Sequence, residues 1–156
     1  MKFFIVVILL VAVALANRNI ELTDKDFKNG RVMNKKSEVQ GKWFIKFYAP
    51  WCPHCQRLQP FWEEMSDSLP KDIKVGALDC TQYDDICTQL SVYGYPTLKY
   101  MDETLGSVKY EGARTTDDMV DWIKQEKYKE SEKKSELPLL EFKNGFQKIA
   151  KLLGFN

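Results

Sequence analysis

A stretch of apolar residues that ends at two closely spaced cysteines is the feature that most constrains how this chain can fold. Residues 43–48 (WFIKFY) are almost all apolar, and a run of this length is typical of a strand buried in a sheet. Cys52 and Cys55 come next, and apolar residues then recur at helical spacing, namely Leu58, Phe61, Trp62, Met65 and Leu69. The sequence therefore predicts a strand, a short turn and a helix, with both cysteines where the helix begins.

Two cysteines separated by two residues can form a small disulfide, open it and form it again. Such a short loop constrains the unfolded chain little, which argues against a purely structural bond. A helix start offers free backbone N–H groups that stabilise a thiolate. His54 adds a positive charge when it is protonated, and Pro53 stiffens the turn. We expect Cys52 to be the exposed, attacking thiol and Cys55 to be the covered thiol that resolves the mixed disulfide.

The remainder of the chain predicts alternating strands and helices. Strands are expected at 19–22, 43–49, 73–78, 97–101 and 106–110, and helices near 24–27, at 52–69, at 83–90 and after Thr115. The order β, α, β, α, β, α, β, β, α predicts an α/β fold in which a central mixed sheet is flanked by helices on both faces.

Three segments lie outside this predicted domain, which spans residues 17–126. Residues 1–16 combine a lysine, an apolar run and a final Ala-Leu-Ala, the pattern of a cleaved signal peptide rather than of a membrane span. Residues 127–138 are rich in Lys, Glu and Ser and predict a charged linker or helix extension. Residues 139–156 are amphipathic; packing on the domain, self-association, client holding and membrane contact are the alternatives.

The charge and the signal pattern restrict the environment and the partners. The net charge is +1, so no overall field attracts nucleic acid. A signal peptide implies the secretory pathway, where disulfides persist, and the expected location is the endoplasmic reticulum lumen. Because the chain ends without a Lys-Asp-Glu-Leu type signal, secretion is the alternative.

Three motifs carry a resemblance to a known family. Residues 47–55 read FYAPWCPHC, residues 94–98 read GYPTL, and residues 110–122 contain a Tyr-x-Gly followed by an arginine, an aspartate and a tryptophan. Together these motifs resemble the thioredoxin superfamily and, within it, a protein disulfide isomerase-type domain, over residues 19–126. Isomerase domains usually have glycine where this chain has Pro53, and Cys-Pro-His-Cys is similar to the site of a bacterial periplasmic oxidase.

The resemblance implies a thioredoxin fold and an enzyme, a protein disulfide isomerase or oxidoreductase. Such an enzyme forms, reduces or isomerises disulfides in cysteine-containing client polypeptides. Neither a bound cofactor nor a metal is expected, since the electrons pass through the cysteines, and an oxidase or glutathione is the expected redox partner. The alternative is a thioredoxin-fold chaperone or binding module in which client binding dominates over redox exchange.

The resemblance also implies roles for residues near the cysteines. A cis bond between Tyr95 and Pro96 would present backbone to an extended client, with Trp51 as a further substrate-binding residue. Arg114 resembles an arginine that swings near the resolving cysteine, although it is equally consistent with a charge on a surface loop.

The two remaining cysteines, Cys80 and Cys87, resemble a pair found in some isomerase-type domains. We expect them to form a structural disulfide in an oxidising compartment. Two free buried thiols, or a zinc site made by all four cysteines, are the alternatives.

Lys46 departs from the family pattern. The resemblance implies an acidic residue at this position, with a lysine across the sheet where this chain has Ala77. A cation near Cys55 would favour the Cys55 thiolate, while burial would favour the neutral amine of Lys46. The alternative is that the lysine extends to the sheet edge and has no role.

Overall fold

The computed structural model describes residues 18–28, 31–32 and 41–130. The predicted signal peptide at 1–16, residues 131–138 of the predicted linker and the amphipathic segment at 139–156 lie outside the described residues.

A mixed sheet of five strands forms the centre of the described part of the chain. The strands in chain order are β1 (Asn19–Leu22), β2 (Phe27–Lys28), β3 (Arg31–Val32), β4 (Lys42–Tyr48), β5 (Ile73–Asp79), β6 (Thr97–Asp102) and β7 (Gly106–Lys109). The central sheet has the spatial order β1-β5-β4-β6-β7, and β2 and β3 form a separate small hairpin. β1 and β4 run parallel to β5, whereas β6 is antiparallel to both β4 and β7.

Helices cover both faces of this sheet. The helices are α1 (Pro53–Ser68), α2 (Asp84–Gln89) and α3 (Thr116–Lys124), and a 3-10 turn occupies Asp24–Asp26. α1 and α3 contribute to one apolar cluster, and α2 contributes to a second cluster on the opposite face. The predicted α/β fold, a central mixed sheet between helices, is therefore confirmed.

The central strand β4 supplies both clusters because successive side chains on a strand point to opposite faces. Phe44 packs with α1 and α3, whereas Ile45 and Phe47 pack in the cluster that contains α2 residues. All three side chains are fully buried, and each contributes roughly 1.5–3 kcal/mol through apolar burial. Lys46 shares the face of Phe44 and so points toward α1, the helix that carries the two closely spaced cysteines.

The packed domain continues beyond the predicted boundary at residue 126. α3 ends at Lys124, and Glu126 adopts a positive φ of 52°, so the chain turns away from the helix axis. Tyr128 is then buried, and its ring stacks on Tyr100 with 3.8 Å between the ring centres. Tyr128 of the predicted linker or helix extension thus belongs to the core, because its ring packs on another buried ring.

Within the described residues, the structure contains no helix that is both long enough and apolar enough to cross a lipid bilayer.

Candidate active site

Cys52 caps the first turn of α1. Its backbone is extended (φ −76°, ψ 117°), and its sulfur accepts a hydrogen bond from the Cys55 N–H at 3.4 Å. Pro53 is the first helical residue, a position where the missing proline N–H would have no partner within the helix. The sequence Cys-Pro-His-Cys therefore begins a helix and directs its free N–H groups at one sulfur.

Cys52 is covered rather than exposed. The Tyr95–Pro96 peptide bond is cis, and the Tyr95 carbonyl oxygen accepts a hydrogen bond from the Cys52 thiol at 3.6 Å. Only 5% of Cys52 is accessible, the same fraction as for Cys55. The prediction that Cys52 is exposed is wrong, because a loop distant in sequence packs beside the sulfur.

The surroundings of Cys52 favour its thiolate. Burial raises the pKa of Cys52, but hydrogen bonds from the side chain and backbone of Cys55 and from the backbone of His54 lower it. The charge of Arg114 lowers it further, and the net result is a pKa below the ordinary value of 9.0. A lowered pKa is what an attacking or leaving thiol requires near neutral pH.

Cys55 has the opposite character. Burial and the neighbouring Cys52 raise the pKa of Cys55 to about 11, despite the hydrogen bond from the backbone of Ala49 and the charge of Lys46. Cys52 and Cys55 are both free thiols in the structure. They are thus equally covered but differ in acidity.

Lys46 is buried against α1 and lies near Cys55. It is 3% exposed, donates a hydrogen bond to Gln59, and its ammonium lies 5.1 Å from the ring centre of Tyr48 and 5.7 Å from that of Trp62. Burial lowers the pKa of Lys46, while the negative charges of Glu21, Cys55 and Glu63 oppose this change. The side chain is buried over α1, and its role toward Cys55 stays a prediction.

The strand next to Lys46 in the sheet has a small residue at the paired position. In the sheet register Lys46 pairs with Ala77 of β5, which in turn pairs with Glu21 of β1. A cavity of about 140 Å³ is lined by both Lys46 and Cys55. The Lys46 amine and the Cys55 thiol therefore line the same cavity.

Arg57 was missed by the sequence reasoning, although its i, i+3 spacing from His54 on a helix could have indicated it. Its guanidinium donates a hydrogen bond to Nδ1 of His54 at 2.9 Å. Because a guanidinium only donates, the ring nitrogen is the acceptor in this contact. Arg57 therefore adds a guanidinium to the turn that carries His54.

Arg114 lies on the other side of the same site. It donates a hydrogen bond to the Pro96 carbonyl at 3.0 Å, and its charge acts on Cys52. The sequence expectation placed this arginine near Cys55 instead. Arg114 comes close to Cys52 because the cis-proline loop, to which it is bound, packs against that sulfur.

Trp51 and Tyr95 border the site. Trp51 is 68% exposed, and its ring contacts that of Tyr95 edge to face, with 6.3 Å between the ring centres. Their role in binding a client, together with that of Pro96, stays a prediction.

Cys80 and Cys87 form a disulfide in the structure. Cys80 follows β5, Cys87 lies in α2, and their Cα atoms are 5.8 Å apart. Both are 2% exposed and belong to an apolar cluster. The described residues include no group of three or more His, Cys, Asp or Glu side chains arranged to hold a metal ion.

The sheet order, the helix-capping thiol and the cis-proline loop are features of a thioredoxin fold. The thioredoxin family model matches residues 18–125. The chain belongs to the thioredoxin superfamily, as a protein disulfide isomerase-type domain.

Individual relatives agree with this assignment. Protein disulfide isomerase-like 5-1 of Oryza sativa subsp. japonica is 31% identical over 139 residues, which cover 85% of this chain and 91% of that protein. Protein disulfide-isomerase TMX3 of Mus musculus is 35% identical over 118 residues, 74% of this chain but 24% of that protein. The chain thus spans about a quarter of the length of TMX3.

Solved structures show the same fold. The J-Trx1 fragment of ERdj5 superposes with a TM-score of 0.61 at 27% identity, covering 70% of this chain and 51% of the fragment. The zinc-bound form of human ERp44 has a TM-score of 0.56 at 25% identity, over 69% of this chain and 30% of that chain.

Proposed function

We propose that this domain is a thiol–disulfide oxidoreductase that forms, reduces or isomerises disulfides in client polypeptides through Cys52 and Cys55. The observation that carries the proposal is the difference between the two thiols. Cys52 has a lowered pKa at a helix start, and Cys55, one helical turn away, has a pKa raised to about 11. In such a pair, Cys52 is suited to be a leaving group, and Cys55 is suited to stay protonated until it takes part in the exchange.

The exchange follows from this difference. In the oxidised enzyme a client thiolate attacks the Cys52 sulfur, the Cys52–Cys55 bond breaks, and Cys55 leaves with the electron pair and takes up a proton. A second client thiolate then attacks the client sulfur of the mixed disulfide, and Cys52 leaves as a thiolate. The client has gained one disulfide and lost two electrons, and the enzyme pair has been reduced by two electrons.

The stabilised Cys52 thiolate favours oxidation of clients. A more stable thiolate makes the reduced form more stable, and the disulfide is then a stronger oxidant. Pro53 contributes by occupying the first helical position without displacing the N–H groups that point at Cys52. The reduced pair is reoxidised by a redox partner, for which an oxidase or glutathione disulfide is suitable.

The proposed setting is the secretory pathway, with the endoplasmic reticulum lumen as the location. The signal-peptide pattern at residues 1–16 supports it, as does the Cys80–Cys87 bond, since disulfides persist in oxidising compartments. We place the catalytic domain at residues 17–126 together with the segment up to Tyr128, whose ring packs in the core.

Two measurements test the function. The purified protein should reactivate a misbridged test protein in a glutathione buffer, and activity equal to that of the buffer alone would contradict the proposal. Equilibration of Cys52–Cys55 with glutathione should give a potential near roughly −180 mV or above, as for an isomerase or an oxidase. A potential near about −270 mV would assign the domain to reductases instead.

A chaperone or binding module is the second candidate, favoured by apolar side chains exposed on the surface. Trp51, Phe61 and Tyr93 are 68%, 43% and 83% exposed. The Cys52→Ala variant separates the two functions. If it prevents aggregation of a test protein as well as the parent does, while exchange is lost, client binding is the main activity.

A further inference from the structure

A groove of about 180 Å³ beside the two thiols is left unused by the exchange reaction. Its lining combines cationic and apolar side chains: His54, Arg57, Leu58, Phe61 and Arg114. One end of the groove reaches the active-site turn through His54, and Arg114 is close enough to act on the charge of Cys52. A client segment that reacts with Cys52 therefore passes near this groove.

The groove carries two positive charges without a carboxylate partner among the described residues. The ion pairs in the described part of the chain join other residues, namely Lys42 to Asp72, Lys109 to Glu111 and Lys129 to Glu126. Arg57 donates to His54 and Arg114 donates to the Pro96 carbonyl. Each guanidinium has five N–H donors, so both keep donors for a further acceptor.

Carboxylates of neighbouring elements weaken the field of the groove, but the ion pairs in the described part of the chain do not include its two arginines. The first turn of α1 contains no acidic residue, and the positive end of its dipole adds to the arginines. Glu64 of α1 and Asp118 of α3 accept hydrogen bonds from Thr116 and Thr115. Because guanidinium groups stay protonated at every physiological pH, both arginines of the groove keep their charge.

The volume and the lining limit what can bind. Leu58 is 2% exposed and Phe61 is 43% exposed, so the groove also has an apolar side that suits methylene groups. Pockets for whole small molecules usually measure about 300–1,000 Å³, so about 180 Å³ suits one side chain better than a tripeptide. A carboxylate on a short methylene stem, as in glutamate or aspartate, matches both the charge and the size.

We propose that this groove binds an acidic side chain of the client polypeptide, close in sequence to the cysteine that reacts with Cys52. The inference rests on the proposed exchange function and adds a substrate class to it. A charge-assisted contact to Arg57 or Arg114 holds the client cysteine at the active-site turn. Clients with an acidic residue near the cysteine then react faster than neutral ones, and the preference weakens as salt increases.

The test uses disulfide-containing model peptides that differ at one flanking residue, which is Glu, Gln or Lys at each position in turn. The measured quantity is kcat/KM for exchange with the full chain at low and at high salt. At the best position the Glu peptide should react about fivefold faster than the Gln peptide, and the Lys peptide should be the slowest. Equal rates for all three would overturn the inference and leave the exchange function intact.

Variants of Arg57 identify the groove as the source of the preference. Arg57 is exposed, so its replacement leaves the core unchanged. Arg57→Gln should reduce the ratio of kcat/KM for the Glu peptide to that for the Gln peptide toward unity, and Arg57→Glu should make the Lys peptide the preferred one. The control Arg31→Gln removes the same charge from an exposed arginine of β3 and should keep the full preference.

Two other results would overturn the inference. An equal loss with all peptides in Arg57→Gln would show that Arg57 acts on the thiols through His54 instead. A preference limited to glutathione disulfide, with no effect of Glu in the peptides, would assign the groove to glutathione carboxylates. If no peptide is exchanged at all, the exchange function itself fails, which is a different result from exchange without preference.

Discussion

The two cysteine pairs of this domain are almost equally buried but have different chemistry. Cys52 and Cys55 are each 5% exposed and are free thiols, whereas Cys80 and Cys87 are each 2% exposed and form a disulfide. Exposure therefore does not distinguish an exchanging pair from a structural one. The difference lies in the groups around the sulfurs.

Cys52 and Cys55, the proposed exchanging pair, have polar and cationic neighbours, and Cys80 and Cys87 have apolar neighbours. The N–H groups of Cys55 and His54 and the charge of Arg114 stabilise a thiolate on Cys52. Cys80 and Cys87 lie in a cluster of apolar side chains from β4 and β5, where a thiolate would have little solvation. Neither sulfur of the Cys80–Cys87 bond has such stabilisation, whereas Cys52 can leave a mixed disulfide as a stabilised thiolate, and a bond without that stabilisation suits a structural role.

Removal of the Cys52 thiol should have the largest effect. Cys52→Ser should reduce exchange with a disulfide-containing test protein to the level of the buffer, because no other thiol of the site has a lowered pKa. Reactivation of a misbridged protein measures this. Activity that persists in the variant would mean that Cys55 or the Cys80–Cys87 pair can carry exchange, and the distinction between the pairs would fail.

Removal of the structural pair should affect stability instead. The double variant Cys80→Ala and Cys87→Ala should lower the free energy of unfolding by about 2–3 kcal/mol, the loop-closure contribution of a short disulfide. Denaturant unfolding gives this value, and exchange measured well below the unfolding midpoint should match the parent. A large loss of exchange without a loss of stability would contradict the structural role.

The two thiols of the active site should titrate separately. The alkylation rate of Cys52 should reach half of its maximum below pH 9, since the pKa is lowered from 9.0, whereas Cys55 ionises near 11. Alkylation followed by mass spectrometry across this pH range assigns each reaction. A single titration near 9 for both cysteines would contradict the difference in acidity.

The pKa shifts of Cys52 and Cys55 should also determine how the stability of the reduced protein changes with pH. Between pH 9 and 11 the unfolded chain releases the Cys55 proton while the folded domain keeps it, so stability falls as the pH rises. The lowered pKa of Cys52 has the opposite effect on stability. Below pH 9 it makes the reduced protein more stable as the pH rises toward 9. In Cys55→Ala the free energy of unfolding should fall less between pH 9 and 11 than in the parent, because the variant has no Cys55 proton to release.

Lys46 should give the smallest effect, and Lys99 is its matched control. The charge of Lys46 lowers the pKa of Cys55, so Lys46→Met should slow release of the mixed disulfide modestly, by about threefold. Lys99 is also buried in the sheet, but it donates to the Leu90 carbonyl on the other face. Lys99→Met should leave the rate–pH profile unchanged, and identical profiles in both variants would remove Lys46 from the mechanism.

The order of the elements and the start of α1 follow from the sequence by itself. Apolar periodicity separates strands from helices, and a proline after a capping residue marks the first helical turn at Cys52 and Pro53. Both features depend on residues within one or two helical turns of each other. The fold class and the choice of Cys52 and Cys55 as the proposed reactive pair could therefore be predicted from local properties of the chain.

Only the tertiary structure decided the surroundings of the sulfurs. The Tyr95 carbonyl meets Cys52 across 43 residues, and Lys46 meets Gln59 through the packing of β4 on α1. These contacts depend on sheet register and on loops that pack together, which no local pattern encodes. For that reason the sequence predicted an exposed Cys52, whereas the folded domain has a covered thiol on which the charge of Arg114 acts.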